Sequence, residues 1–301
     1  MKALLLGKNG QVGWELRRSL ACVFDVVALD HPDIDLADGA SIECCLAAVD
    51  PDVVVNAAAH TAVDMAETDP EASRRINADA VGILARFMAQ KRGLLVHYST
   101  DYVFDGSGSS PWSESDEPRP VNAYGMAKRE GEVEIADSGC RHLIFRTSWV
   151  YASRGQNFVR TILRLAAERD SLRVIADQFG APTSAELLAD GTALALRRLL
   201  SPTASDGDFS GTYHLAARGE TTWHGIACRA VAIAMEAGAD LRATPERIVP
   251  IGTSEYPLPA RRPANSRLCV DRVERRFGIV CPDWRVHFDR TVTEIIRGSN
   301  A

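Results

Sequence analysis

The first half of the chain alternates short apolar runs with longer amphipathic segments. The apolar runs have the length of buried strands and cover residues 2–7, 25–30, 52–56, 94–98 and 142–147. The segments between them have the apolar spacing of helices and cover residues 12–20, 41–49, 71–90 and 123–136. Because parallel strands are joined by helical crossovers and covered on both faces, this alternation predicts an α/β fold with a doubly wound parallel sheet.

The pattern is less regular after about residue 150. Residues 157–169 and 185–200 still have the spacing of amphipathic helices. Prolines and glycines interrupt the rest, with a Ser/Asp/Gly-rich loop at residues 201–211 and four prolines between residues 250 and 263. Such punctuation is typical of turns and loops, so we expect a looser lobe in this half.

A length of 301 residues allows one large domain or two modest ones. We predict a first domain over residues 1–150, to which parts of residues 170–215 return. A smaller α/β lobe is predicted over residues 151–301. The two are expected to be interleaved rather than cleanly separate.

Composition narrows the class of protein. With 46% apolar and 25% charged residues the chain is typical of globular proteins, and its net charge of −6 argues against a nucleic-acid partner. No apolar run approaches the ~18 residues of a membrane span. The opening apolar stretch is shorter than the roughly 7–15 residues of the hydrophobic region of a signal peptide. Seven cysteines without a CxxC pair suggest neither a disulfide framework nor a zinc site, and a cytoplasmic location is expected.

A glycine-rich turn follows the first predicted strand and opens the first predicted helix. Residues 7–13 read Gly-Lys-Asn-Gly-Gln-Val-Gly, and Asp30 ends the next strand twenty residues after Gly10. Glycines permit a tight turn and close approach of a pyrophosphate, which a helix N-terminus attracts. Asp30 is placed to bind a ribose hydroxyl. Residues 1–150 are therefore predicted to be a dinucleotide-binding Rossmann domain, although the motif alone also fits a flexible turn.

The choice between NADH and NADPH stays open. An acid at Asp30 would repel a 2′-phosphate and so favours NAD, but the neighbouring Lys8 could offset that repulsion. Asp35 and Leu36 follow the second strand and could flank the adenine, or form a plain loop.

A tyrosine and a lysine stand four residues apart at the start of a predicted helix. Tyr124 and Lys128 therefore share one helical face. A tyrosine has a pKa near ~10, and a nearby ammonium lowers that pKa by stabilising the phenolate. The pair can act in proton transfer, although the same spacing is common on surface helices.

Hydroxyl and acid groups follow the fourth apolar run, where the chain reads Ser99-Thr100-Asp101. In a doubly wound sheet the ligand crevice lies at the carboxyl ends of the strands, so Ser99 and Thr100 are placed to bind a substrate carbonyl or to cap the strand. Residues 56–61 end the third strand with small side chains, which would let a cofactor lie close to the backbone.

Taken together, these features resemble the extended short-chain dehydrogenase/reductase family, and most closely its dTDP-4-dehydrorhamnose reductase branch. The resemblance extends from residue 1 to about residue 296. It rests on the motifs GKNGQVGWEL, VVNAAAHTAVD, VHYSTDYVF, YGMAK, HLIFRTSWVY, DQFGAPT, TYHLAARGETTWH and RPANSRL. It implies reduction of the 4-keto group of a dTDP-linked sugar by NADPH or NADH, with the lobe at 151–301 binding mainly the substrate.

The resemblance also implies roles for individual residues. Tyr124 would donate the proton to the carbonyl oxygen, and Lys128 would hold the nicotinamide ribose and lower the tyrosine pKa. Thr100 and Asp101 would contact the sugar, with Trp149 packed near it or simply in the core. The cofactor would be lined by Gly7, Gly10, Gln11, Val12, Gly13, Asp30, Asp35, Leu36, Ala59, His60, Thr61, Tyr98, Tyr124 and Lys128.

The second lobe should supply the nucleotide and diphosphate contacts. Three arginines form a local basic group in an acidic chain, and guanidinium groups suit phosphates, although a solvated cluster fits equally. The residues considered for this role are Arg261, Arg262 and Arg267, with Asn265 and Gln178 as polar contacts.

Family members are often homodimers, some with Mg²⁺ held by glutamates at the interface. Glu15, Glu186 and Glu294 fall at corresponding positions, where three surface glutamates are the alternative. Two other functions compete with a reductase. One is a nucleotide-sugar epimerase or dehydratase of the same fold, and the other is a non-catalytic, nicotinamide-binding regulatory subunit.

Overall fold

The computed structural model describes residues 1–200 and 209–299, so most of the loop predicted at 201–211 lies outside the described residues. The helices are Gln11–Leu20 (α1), Gly39–Val49 (α2), Val63–Thr68 (α3), Pro70–Arg74 (α4), Ala80–Lys91 (α5), Ala123–Asp137 (α6), Phe158–Glu168 (α7), Ala185–Leu199 (α8), Trp223–Glu236 (α9), Asp271–Phe277 (α10) and Trp284–Ser299 (α11). The strands are Lys2–Leu6 (β1), Asp25–Leu29 (β2), Val53–Asn56 (β3), Leu94–Thr100 (β4), Arg141–Thr147 (β5), Val150–Tyr151 (β6), Leu172–Ile175 (β7), Phe179–Gly180 (β8), Thr183–Ser184 (β9), Gly211–His214 (β10), Thr221–Thr222 (β11) and Ile248–Ile251 (β12).

Six strands form one sheet in the order β10-β5-β4-β3-β1-β2, and every neighbouring pair is parallel. The five predicted strands are β1 to β5. The chain passes from β1 to β2 on one side and then crosses to β3 on the other. In such a sheet ligands bind at the carboxyl ends of the strands where this direction reverses, which here is between β1 and β3. The predicted α/β fold with a doubly wound parallel sheet is confirmed.

Helices cover both faces of this sheet. Ala3 and Leu5 of β1 pack in a core with α1 and α8, whereas Leu4 and Leu6 pack in a second core with α2 and α5. Side chains alternate between the faces of a strand, so a strand covered on both sides is apolar at every position. This explains why β1 and β3 read as continuous apolar runs.

The helix predicted over residues 71–90 contains an irregularity that its apolar pattern does not show. Between α4 and α5 the chain makes a π-helical turn at Arg75–Asp79. The turn includes Asn77, whose side chain accepts a hydrogen bond from the His60 N–H and donates one to the His60 carbonyl, both at 3.0 Å. The turn therefore holds the segment that follows β3.

The second half contributes to the sheet and also builds cores of its own. Strand β10 pairs with β5, and α8 packs on α1. Apart from the sheet, α7, α9 and α11 bury apolar side chains together, and the parallel pair β7–β12 packs beside α9. No helix in the described part of the chain has the length and apolarity that crossing a membrane requires.

Candidate active site

A cleft of about 740 Å³ opens at the carboxyl ends of β1, β3 and β4. Its lining includes the glycine turn, the first turn of α6, Trp149 and Trp223. Fourteen of the residues proposed from the sequence line this cleft: Gly7, Gly10, Gln11, Val12, Asp30, Ala59, Thr61, Tyr98, Ser99, Thr100, Asp101, Tyr124, Lys128 and Trp149.

Other predicted cofactor residues lie beside the cleft rather than on its surface. Gly13 is buried in α1, where a Cβ would clash with the Gly7 carbonyl. Leu36 packs against the apolar core beneath α2, and Asp35 accepts a hydrogen bond from the Ala37 N–H. The His60 backbone is held by the Asn77 side chain, as described above.

The residues suggested for the nucleotide and diphosphate are engaged with other protein groups. Arg262 pairs with Asp64, with an Nη2–Oδ2 distance of 2.7 Å. The Asn265 side-chain amide donates to the carbonyls of Ser107 and Ser110. Arg267 pairs with Glu220, and Gln178 hydrogen-bonds with Thr253 and Trp223. Arg261 is exposed, and its backbone carbonyl accepts a hydrogen bond from the Asn122 amide.

The three glutamates considered for Mg²⁺ are held by arginines. Arg290 pairs with both Glu186 and Glu294, and Arg18 lies 3.3 Å from Glu15. Within residues 1–200 and 209–299 no group of three or more His, Cys, Asp or Glu side chains is arranged to hold a metal ion.

The glycine turn fits a dinucleotide. Gly7 has φ +84°, and a Cβ there would lie 2.7 Å from the Ala58 N, so the turn can pass this close to the segment after β3 only as glycine. Helix α1 begins after Gly10, where no side chain caps the first turn. Its free N–H groups suit a pyrophosphate. Asp30 receives the Asn9 N–H at 2.9 Å, which fixes its carboxylate at the rim.

A loop from the second half closes over this turn. The Asn157 side-chain amide donates to Gln11 Oε1 at 2.9 Å, and Gly155 lies against the Gln11 side chain. Gly155 and Gln156 line the cleft and were not among the residues proposed from the sequence. Gln11, which Gly155 approaches, lies more than 140 positions away along the chain, so no local pattern marks this loop.

The acid groups of the site lie where β4 ends and α6 begins. Asn122 caps α6 by accepting the Gly125 N–H at 2.7 Å, and its amide donates to the Arg261 carbonyl at 2.8 Å. Burial raises the pKa of Tyr124, the charge of Asp101 raises it further, and a hydrogen bond with Thr100 opposes both effects. Tyr124 is therefore a neutral phenol, which is a proton donor.

Asp101 is itself buried. Burial raises the pKa of its carboxyl to about 7, against hydrogen bonds with Ser266 and Thr100 that lower it. Near it the Thr147 hydroxyl lines the cleft and has no hydrogen-bond partner among the described residues. A buried, unpartnered hydroxyl in a cleft is suited to a polar group of a ligand.

Lys128 lies below Tyr124 on the same helix and is 1% exposed. Its Nζ is 2.9 Å from His97 Nε2, and His97 Nδ1 is 3.2 Å from Asn56 Nδ2. Burial lowers the pKa of Lys128 to about 7, opposed by the charge of Glu132. His97 was missed from the sequence, although a histidine in the apolar run Leu-Leu-Val-His-Tyr is a visible signal.

Two tryptophans form part of the wall of the cleft. Trp149 has φ +50°, a left-handed conformation rare for a bulky residue, and its ring stacks on Trp223 with centroids 4.0 Å apart. Both rings line the cleft. Backbone strain of this kind accumulates at functional sites. Trp223 was not proposed from the sequence, because a single tryptophan at a helix start is equally typical of a core.

A dinucleotide-type glycine turn and a Tyr–Lys pair in one cleft of a doubly wound sheet define the extended short-chain dehydrogenase/reductases, a class of nicotinamide-dependent enzymes. Comparison with known families is more specific. The family described as RmlD substrate binding domain matches residues 1–297, and the chain belongs to this family.

Named relatives cover nearly the whole chain. A dTDP-4-dehydrorhamnose reductase of Burkholderia thailandensis is 51% identical over 298 residues, 98% of this chain and 99% of that protein. One of Salmonella typhimurium is 48% identical over 299 residues, 98% of each. The crystal structure of the dTDP-4-dehydrorhamnose reductase from Bacillus anthracis, in complex with NADP, has a TM-score of 0.87 at 28% identity and covers 97% of this chain and 99% of that one.

Proposed function

We propose that this chain reduces the 4-keto group of dTDP-4-dehydro-L-rhamnose, giving dTDP-L-rhamnose, at the expense of NADPH or NADH. The observation that carries the proposal is the placement of Tyr124, Thr100 and Lys128 in one cleft with the glycine turn. The named relatives support the choice of substrate, because they match this chain from end to end.

The glycine turn would hold the diphosphate of the cofactor, and Asp30 its adenosine ribose. The nicotinamide supplies a hydride when bound. Gly7 and Ala58 leave the floor of the cleft free of side-chain bulk, since a Cβ at Gly7 would overlap the backbone there. The Asn157–Gln11 hydrogen bond keeps the covering loop against the turn.

Tyr124 is proposed as the group that donates its phenolic proton to the carbonyl oxygen of the sugar. Burial keeps that proton on the ring until negative charge develops on the substrate oxygen. The Thr100 hydroxyl would hydrogen-bond with the same oxygen and orient it. Lys128, as an ammonium, would stabilise the phenolate that remains. Such general acid catalysis contributes typically about 10²–10⁴-fold.

On the substrate side we propose that Asp101 and Trp149 contact the sugar, with Arg262 and Asn265 on the nucleotide side. Residues 1–150 would act as the cofactor domain and residues 151–301 mainly as the substrate lobe. Arg262 is anchored by Asp64, which would hold its guanidinium in place for a phosphate. The cap Asn122 ties the two halves together through the Arg261 carbonyl.

The test supplies purified protein with dTDP-4-dehydro-L-rhamnose and each reduced nicotinamide in turn, following nicotinamide absorbance and dTDP-rhamnose. We expect the reduced nicotinamide to be consumed and dTDP-rhamnose to appear in equal molar amounts. Tyr124→Phe should lose at least about 10²-fold in kcat and retain cofactor binding. An epimerase or dehydratase would convert the sugar without net consumption of nicotinamide, and a regulatory subunit would bind the cofactor without turnover. Either result would overturn the proposal.

We also propose a homodimer in the cytoplasm. All seven cysteines are free, which suits a reducing compartment. Sedimentation of the purified protein measures the oligomeric state, and a species of one chain's mass would contradict the dimer.

A further inference from the structure

A buried histidine lies directly behind Lys128, and the chemistry proposed above makes no use of it. His97 is in β4 and is 1% exposed. Its Nε2 lies 2.9 Å from Lys128 Nζ, and its Nδ1 lies 3.2 Å from Asn56 Nδ2. Each ring nitrogen therefore has one partner, and these partners decide which nitrogen carries the proton.

The direction of this hydrogen-bond chain is fixed by a backbone amide. The Ala58 N–H can only donate, so the Asn56 amide atom that faces it at 3.2 Å is the oxygen. Asn56 Nδ2 consequently faces His97, and it too can only donate. His97 Nδ1 must accept, and a neutral imidazole that accepts at Nδ1 carries its proton at Nε2.

The Nε2–H of His97 then points at Lys128 Nζ. An ammonium has three donors and no acceptor, so an ammonium at this distance would set two donors against each other. A neutral amine offers a lone pair. We propose that His97 is a positioning residue that donates from Nε2–H to the amine of Lys128, so that the chain Ala58–Asn56–His97–Lys128 selects the neutral form of the lysine in the free protein.

The surroundings of Lys128 are consistent with this form. Burial lowers the pKa of Lys128 to about 7. Burial also lowers the pKa of His97, and the charge of a protonated Lys128 would lower it further, so the imidazole is neutral. From β4 and α6, the phenols of Tyr98 and Tyr124 are neutral because burial raises their pKa values.

One anion faces the lysine from its own helix. Glu132 favours the ammonium, but its carboxylate is bound by the Arg146 guanidinium of β5 at 2.6–2.8 Å and by Arg129 at 3.0 Å. Asp101, beyond the end of β4, acts on Tyr124 and Tyr102. The anionic charge near Lys128 is thus largely neutralised. The hydrogen bond from His97 is then the interaction that selects the protonation state of the lysine.

The first test reads the ring proton directly, in the protein without cofactor. Long-range ¹H–¹⁵N correlation spectra of histidine-labelled protein distinguish the two neutral tautomers, and His97→Gln assigns the signal by its loss. We expect Nε2 to be protonated and Nδ1 bare at neutral pH. A proton on Nδ1, or an imidazolium, would overturn the proposal. This readout does not depend on which reaction the protein catalyses.

A second variant tests the cause. In Asn56→Asp the atoms facing both Ala58 and His97 are acceptors, so the imidazole proton should move from Nε2 to Nδ1. Nε2 then becomes an acceptor for an ammonium. If the tautomer in Asn56→Asp stays as in the parent protein, Asn56 does not direct the chain and the inference fails.

The kinetic consequence rests on the proposed function. Reduction needs the ammonium, so kcat should fall as the pH rises through the pKa of Lys128. In His97→Gln a rotatable amide can present its oxygen to the ammonium, and we expect this alkaline limb to move up by about one pH unit. The matched control is His214→Gln, a histidine 0% exposed in β10. Equal shifts in both variants, or none in His97→Gln, would contradict the kinetic part.

Discussion

Asp101 and Lys128 are buried in the cleft and Tyr124 is half-buried there. Desolvation shifts the pKa of each in the direction that favours its neutral form. Removing an ion from water costs free energy unless a partner compensates. The chain therefore holds a carboxyl and an amine that both titrate near pH 7, where each would ordinarily be charged. Shifted pKa values of this kind are typical of sites of proton transfer, and the same shifts lower the stability of the folded protein.

Asp101→Asn should stabilise the protein more at pH 8 than at pH 5. The pKa of the Asp101 carboxyl is about 7 in the folded protein and about 3.9 in the unfolded chain. The free energy of unfolding therefore falls as the pH rises between those two values. Asparagine does not titrate, so the variant does not lose this stability. Its gain in the free energy of urea unfolding over the parent protein should be about 1–3 kcal/mol larger at pH 8 than at pH 5. Asp105→Asn is the control, because a hydrogen bond from Ser107 lowers the pKa of that carboxyl. Equal gains at both pH values would refute the assignment.

Lys128→Met should abolish turnover and raise the melting temperature. The folded-state pKa is depressed to about 7, so on lowering the pH from about 10 to 7 the unfolded chain takes up a proton that the folded protein does not. The substitution removes that cost, with about 1–2 kcal/mol gained at pH 7. Calorimetry at pH 7 measures this gain, with Lys91→Met for comparison, at a half-buried lysine that pairs with Asp50. A melting temperature lower than the parent's would show that Lys128 is stabilising.

Helix α6 is held in place by charge as well as by apolar packing. Glu132 lies one turn beyond Lys128 and accepts two hydrogen bonds from Arg146 of β5, with both side chains almost fully buried. This pair fixes the register of the helix against the sheet and hence the position of the Tyr–Lys face.

Glu132→Gln should lower the free energy of unfolding by about 3–5 kcal/mol, because it leaves the Arg146 charge buried without a counterion. The double variant Glu132→Leu with Arg146→Met removes both charges and should recover most of that loss. Denaturant titration compares the three proteins. A single variant as stable as the parent would mean that the pair is not desolvated.

Helix α1 depends on close contact with the turn before it. Gly13→Ala would drive a Cβ into the Gly7 carbonyl and push α1 away from the glycine turn. We expect at least a tenfold weaker affinity for the reduced nicotinamide, measured by fluorescence titration, with the sugar affinity little changed. Unaltered cofactor binding would remove Gly13 from the set of residues that shape the site.

At the scale of the whole molecule, the cleft joins distant parts of the chain. Leu188 of α8 and Trp223 of α9 line it together with Gly7 and Asp30. The hydrogen bond between Gln11 and Asn157 links the first half of the chain to the second at the edge of this lining. A ligand in this cleft therefore contacts both halves and favours the folded state over the unfolded one.

Saturating NADPH should raise the unfolding free energy by about 2.7 kcal/mol at one hundred times its dissociation constant. The same thermal unfolding series is run with NADH. The ratio of the NADPH and NADH concentrations that give the same shift in melting temperature measures the preference between the two cofactors. Gln11→Ala, which frees the covering loop, should need more cofactor for the same shift. A melting temperature unaffected by either nucleotide would contradict the proposed cofactor cleft.

Much of this molecule follows from local sequence. Strands β1 and β3 are apolar at nearly every position because both faces of the sheet are covered, and the glycine turn is recognisable because only glycine fits its backbone. The spacing of Tyr124 and Lys128 on one helical face is likewise a local property. The sequence by itself thus determined the fold class. It also marked the glycine turn and the Tyr124–Lys128 pair that we propose as the cofactor turn and the acid–base pair.

Only the tertiary structure decided what surrounds that pair. Strand β10 is too short and too polar to stand out, and it joins the sheet because β5 offers an open edge. Trp223, Gly155 and His97 enter the site through contacts with residues far away in sequence. The charge of Lys128 is likewise set by burial and by the fixed direction of a hydrogen-bond chain that starts at Ala58, and these depend on which groups are brought together in three dimensions.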